Sequence, residues 1–151
     1  MNVNELILVV VDSMDLQLQK KGTELQLNLD AMPPFIYADE LHLSNVIYNL
    51  IDNANKYSLG TPKITISTRI THKHLIIEVA DEGIGMSTEE TKRIFDQFYR
   101  VPTGNLHDVK GFGLGLNYVQ DIIEQMDGKI KVHSEKDKGT VFEIILPLNR
   151  N

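Results

Sequence analysis

The sequence predicts an α+β fold, a two-layer α/β sandwich in which helices cover one face of a mixed sheet. Three observations predict it. Amphipathic helical stretches alternate with short strands of period two. The central and final strands come as hairpin pairs, which disfavours a doubly wound parallel sheet. The helical stretches are one-sided, so they need a common surface to cover.

Residues 4–21 read as a helix capped by Asn4, with Ile7, Val10, Val11, Met14 and Leu18 on one face. Thr23 to Asp30 alternates through Leu25, Leu27 and Leu29 as a strand does. Pro33-Pro34 interrupts the chain, and Phe35 to Ala38 is read as a short strand. Asp39 then caps a helix running to about Tyr57. After the turn Leu59-Gly60-Thr61-Pro62, two strands carry Ile64, Ile66, Ile70 and then Leu75, Ile77, Val79, with Thr71 to His74 at the hairpin tip.

Asp81 to Met86 is a glycine loop, and Ser87 caps a short helix reaching about Phe95. Residues 96–112 lack periodicity and are read as a mobile loop. A helix from about Gly113 to Met126 ends at Asp127-Gly128. Two strands close the chain, the first with Ile130 and Val132, the second with Val141 and Phe142 to Leu146.

The bulk numbers bound the function. A length of 151 residues suits one domain, residues 1–151. A net charge of -6 argues against nucleic acid as the main partner. Cysteine is absent, which removes disulfides, thiolate metal sites and cysteine nucleophiles, and fits a cytoplasmic domain. The apolar run Leu6 to Val11 is too short for a membrane span. Because the chain opens almost directly in a helix, it is expected to be part of something longer.

Chemistry concentrates in four segments. In Asn45-Val-Ile-Tyr-Asn-Leu-Ile-Asp-Asn-Ala-Asn-Lys-Tyr57, residues Asn45, Asn49, Asn53 and Lys56 share one helix face. Leu43, Val46, Ile47, Leu50, Ile51 and Ala54 fill the opposite one. A solvated face is one reading of that stripe. The other is a ligand: an asparagine oxygen suits Mg²⁺, which takes one or two protein ligands plus phosphates.

Asp81-Glu-Gly-Ile-Gly85 follows a strand, so the bland reading is a strand-to-helix turn. A carboxylate there can instead accept the amino hydrogens of adenine, and it repels the carbonyl of guanine. Gly111-Phe-Gly-Leu-Gly115 opens a helix, where small residues let phosphates approach free N–H groups beside Lys110. In Arg93-Ile-Phe-Asp-Gln-Phe-Tyr-Arg100, Phe95 and Phe98 are read as anchors of the following loop, and Arg100 as a cation able to reach a terminal phosphate. Histidines 42, 72, 74, 107 and 133 lack metal spacing and are read as surface residues.

Together these segments resemble the catalytic, ATP-binding domain of sensor histidine kinases, whose superfamily also holds gyrase B and MutL and shares the Bergerat fold. Asn49 to Tyr57 resembles the N box and Asp81 to Gly85 the G1 box. Phe95 to Tyr99 resembles the F box, Gly111 to Gly115 the G2 box, and Gly139-Thr140 a short glycine motif on the last hairpin. The resemblance implies ATP and Mg²⁺ as ligands, with Asn53 on the metal. It places Tyr57, Asp81, Gly83, Gly85, Gly111, Gly113, Leu114, Gly115 and Thr140 around the nucleotide. Lys56, Arg100 and Lys110 would address phosphates, and residues 100–110 would be the ATP lid. Lys110 stands where the family often has glycine.

Asn49 separates the family's branches. Its hydrolysing members hold a glutamate there to activate water, whereas an amide is no general base. The implied acceptor is a histidine on a helical hairpin, an upstream dimerisation and phosphoacceptor domain of the same protein. A response regulator is expected downstream, and this segment is expected to be monomeric, the cytoplasmic part of a parent that can be membrane-anchored. The alternatives are an ATPase or serine-directed kinase of the superfamily, or a nucleotide-sensing module without transfer activity.

Overall fold

The computed structural model describes residues 1–30, 35–58, 60–96 and 114–148. In chain order the elements are α1 (Val3–Ser13), α2 (Asp15–Lys20), β1 (Glu24–Asn28), α3 (Glu40–Lys56), β2 (Lys63–Ile70), β3 (His74–Asp81), α4 (Thr88–Arg93), α5 (Leu114–Gln125), β4 (Lys129–Glu135) and β5 (Gly139–Pro147). The strands form one mixed sheet ordered β1-β2-β3-β5-β4, with β1 parallel to β2 and every other pair antiparallel.

The core lies between one sheet face and the helices. Leu43, Val46, Ile47, Leu50 and Ile51 of α3 are fully buried, as the expected apolar face requires. They meet Ile64, Ile66, Leu75, Ile77, Val79 and Ile144 from the sheet, and Val119 and Ile123 from α5. Val3, Leu6, Ile7 and Val10 bring α1 into the same core. On the opposite face Arg69 bridges Glu78 and Glu143 at 3.2 and 3.3 Å, a cross-strand charge cluster that suits water. Among the described residues no helix is long and apolar enough to cross a membrane.

Three expectations change, and the end of α5 is refined. The first helix is two helices, broken at Met14, whose N–H turns back to Val11 and Asp12. Its cap is Asn2, which accepts from the N–H of Glu5 at 3.3 Å. Asn4 is drawn inward instead: it donates to the carbonyl of Asp30 and accepts from the hydroxyl of Thr68, each at 2.9 Å. Phe35 to Ala38 is not a strand, since only an isolated bridge joins Phe35 to Asn2. At the end of α5 it is Asp127, at φ 60°, that takes the left-handed position. Gly128 is needed for closeness, because a Cβ there would stand 2.6 Å from the carbonyl oxygen of Ile145.

Candidate functional site

The helix-covered sheet face is apolar apart from Thr68 until its end. Thr68, Ile77, Ile144 and Ile130 form one row across β2, β3, β5 and β4, and Ile66, Val79, Phe142 and Val132 the next. The last row is Ile64, Asp81, Thr140 and Ser134. Three adjacent polar side chains thus end a face that, Thr68 apart, builds the core.

Asp81 is the last residue of β3 and lies largely out of water. Burial raises its carboxyl to about 6, against the opposing pull of the backbone N–H groups of Gly83 and Thr140. The Gly83 N–H donates to Oδ1 at 2.8 Å. A carboxyl that burial disfavours as an anion is an acceptor short of donors, and a ligand bringing an amino group would supply one.

Two glycines shape the loop around it. A Cβ on Gly83 would stand 2.3 Å from the carbonyl oxygen of Tyr57 and 2.9 Å from Oδ1 of Asp81. Gly85 has φ +66°, and a Cβ there would lie 2.0 Å from the carbonyl oxygen of Glu135. Gly85 therefore seats the loop on the β4–β5 turn, where Asp137 N–H also bonds the carbonyl of Ile84 at 2.7 Å. The loop then enters α4 through a reciprocal capping box between Ser87 and Glu90.

The asparagine helix borders this corner. Tyr57 ends α3, accepts the Ile84 N–H on its carbonyl at 3.1 Å and so ties the helix to the glycine loop. Asn53 is half-buried, and its side chain makes no hydrogen bond among the described residues. Asn49 donates to the carbonyl of Asn45 at 2.8 Å. Its Oδ1 lies 3.2 Å from where a Cβ of Gly115 would stand, so the glycine lets α5 approach α3. Lys56 reaches back one turn to Asp52 at 2.8 Å.

The expected residues thus divide. Tyr57, Asp81, Gly83 and Thr140 come together through direct contacts, while Asn49 meets Gly115 across the helix pair. Leu114 is the first residue of α5. Arg100, Lys110, Gly111, Gly113, Phe98, His107 and the expected lid 100–110 lie outside the described residues. Phe95 packs edge-on to Phe142 with centroids 6.4 Å apart, the anchoring role read for it. Among the described residues no group of histidine and acidic side chains is arranged to hold a metal ion.

Two polar residues escaped the sequence reading. Ser134 receives the Met86 N–H at 2.8 Å and joins the glycine loop to the last hairpin. Its signal was present: it is the inward position that follows Ile130 and Val132 in period. Asn55, 5% exposed, accepts a short hydrogen bond from the hydroxyl of Thr23, and its carbonyl takes the Lys21 ammonium at 2.8 Å. No periodicity argument finds that pair, because the partner comes from another element.

Comparison with known proteins adds the following. Residues 38–150 match the model of the histidine kinase-, DNA gyrase B- and HSP90-like ATPase family. The sensor protein RprX of Bacteroides fragilis is 46% identical over 153 residues, covering 100% of this chain and 30% of RprX. This chain therefore spans less than a third of that relative. The solved catalytic domain of the histidine kinase ThkA is similar with a TM-score of 0.86 and 26% identity, covering 99% of this chain and 97% of that one. Full-length ShkA, solved in complex with AMPPNP, also gives 0.86 at 26% identity, over 100% of this chain and 31% of ShkA.

Proposed function

The chain belongs to the histidine kinase-, DNA gyrase B- and HSP90-like ATPase family and carries the catalytic, ATP-binding domain of a sensor histidine kinase; from that premise we propose that it hands the γ-phosphate of ATP to a histidine on a separate domain of its parent protein. The observation that carries the proposal is the Asp81 carboxyl at the polar end of the helix-covered sheet face, raised by burial and bonded, among the described residues, by backbone N–H groups alone. Adenine fits there because its amino group donates where guanine would present a second acceptor.

Asp81 and Thr140 would hold the base, and Tyr57, Gly83 and Gly85 shape the surrounding wall. Asn53 fits an Mg²⁺ ligand: the residue is half-buried, and its side chain makes no hydrogen bond among the described residues. The ion, when bound, supplies neutralisation of phosphate charge. Lys56, Arg100 and Lys110 are the cations assigned to phosphate, and Leu114 and Gly115 begin the helix whose N–H groups would face it. The segment 100–110 serves as the lid.

Asn49 favours transfer over hydrolysis. Its amide donates to a backbone carbonyl and is not a base. A neutral histidine brings its own lone pair, so in-line positioning and charge neutralisation suffice. The domain works on the cytoplasmic side as a monomer, joined to a dimerising phosphoacceptor hairpin and serving a response regulator.

The test is to incubate the domain with Mg-ATP and the phosphoacceptor hairpin of its parent. Acid-labile phosphate on histidine is the expected product. Acid-stable phosphoserine, or steady phosphate release with no phosphoprotein, overturns the proposal.

A further inference from the structure

The hydroxyl of Ser134 sits among three polar atoms. It lies 2.8 Å from the backbone nitrogen of Met86, 2.9 Å from the carbonyl oxygen of Gly139 and 2.8 Å from the hydroxyl of Thr140. A serine hydroxyl has one hydrogen and two lone pairs. The Met86 N–H can only donate, so it occupies one lone pair. The Gly139 carbonyl can only accept, so it takes the hydrogen. One lone pair remains, so all three contacts are hydrogen bonds at once only when Thr140 donates to it.

That assignment has a consequence for Thr140, which is 7% exposed. Its single hydrogen is committed to Ser134, and its hydroxyl has no other hydrogen-bond partner among the described residues. What it retains for a ligand is lone pairs alone. Thr140 stands directly opposite Asp81 in the β3–β5 register, on the same sheet face. The carboxylate is also an acceptor only. The corner therefore presents two neighbouring acceptors and no side-chain donor from this pair.

We infer that Ser134 is a positioning residue that sets the Thr140 hydroxyl as an acceptor, so that Thr140 joins Asp81 in selecting an amino over a carbonyl group at position 6 of a bound purine. The inference rests on the adenine-nucleotide reading of the same site. Without Ser134, Thr140 loses its acceptor and can turn its hydrogen toward a purine carbonyl. Asp81 would then select alone.

The experiment compares ATP with inosine triphosphate, which carries a carbonyl at that position, by calorimetric titration of the whole chain. Ser134→Ala is expected to lower the ATP-to-ITP affinity ratio about tenfold, the weight of one hydrogen bond. Ser134→Thr, which keeps a hydroxyl, should retain the ratio. Thr140→Val should lower it as Ser134→Ala does, and the double variant should lower it no further. If Ser134→Ala weakens both nucleotides equally, Ser134 only holds the loop and the inference is overturned while ATP binding stands. Should Ser134→Ala fail to fold, an unchanged ratio in Thr140→Val overturns it as well. Wild-type protein with no affinity for ATP overturns the adenine reading and the inference with it.

Discussion

The carbonyl oxygen of Tyr57 accepts the N–H of Ile84 at 3.1 Å, so the last turn of α3 and the loop after β3 are one hydrogen-bonded unit. The asparagines of α3 and the carboxyl of Asp81 are thereby held in relation to each other through backbone rather than through mobile side chains. This contact explains why Gly83, the residue before Ile84, is so constrained.

Gly83→Ala is expected to break that unit. The added Cβ would meet the Tyr57 carbonyl at 2.3 Å, and neither backbone segment can move without disturbing the core behind it. Overpacking of this kind costs about 1–3 kcal/mol. Thermal denaturation should show the loss, and nucleotide titration should show binding weakened further than stability alone explains. A variant as stable as wild type would mean that the loop is free to shift.

Asp81 gives the apo domain a pH signature. Its carboxyl is raised to about 6 from 3.8, so the fold disfavours ionisation. A group shifted this way stabilises at low pH, and that contribution is lost as pH rises from about 4 to 6. Asp81→Asn does not ionise. Denaturant titrations should find it more stable than wild type above pH 6, by up to roughly 2–3 kcal/mol, with the gap closing toward pH 4. ATP affinity should move the other way, falling for wild type below pH 6 because the base is recognised by the anion. A stability difference independent of pH would contradict the assignment.

Much of this arrangement is legible in the residues alone, and the reason is periodicity. The buried face of α3 and the capping by Asp39 and Ser87 each follow from patterns within one element. So does the β2–β3 hairpin. What the residues hide depends on partners far along the chain. Asn4 reads as a helix cap but serves Asp30 and Thr68. Gly85 reads as part of a glycine loop, and only the fold brings the carbonyl oxygen of Glu135 to 2.0 Å from where its Cβ would stand. Ser134 shows its inward position in the strand period, but not that the Met86 N–H comes to its hydroxyl. The parallel pairing of β1 with β2 is hidden for the same reason, since strand order is a tertiary property.

Asn53 can be tested through its metal. If its amide oxygen ligates Mg²⁺, chelating the ion should weaken ATP binding to wild type about tenfold or more. Asn53→Ala should bind ATP weakly with the ion present, and chelation should change it little further. Equal sensitivity of both proteins to chelation would show that the ion is held without Asn53.

The most direct test of the account is a pair of titrations, Mg-ATP and Mg-GTP, run on wild type and on Asp81→Asn. The account predicts saturable binding of one ATP per chain, GTP at least tenfold weaker, and loss of most of that preference when the carboxylate becomes an amide. GTP bound as tightly as ATP by wild type, or an ATP preference that survives Asp81→Asn intact, would contradict it.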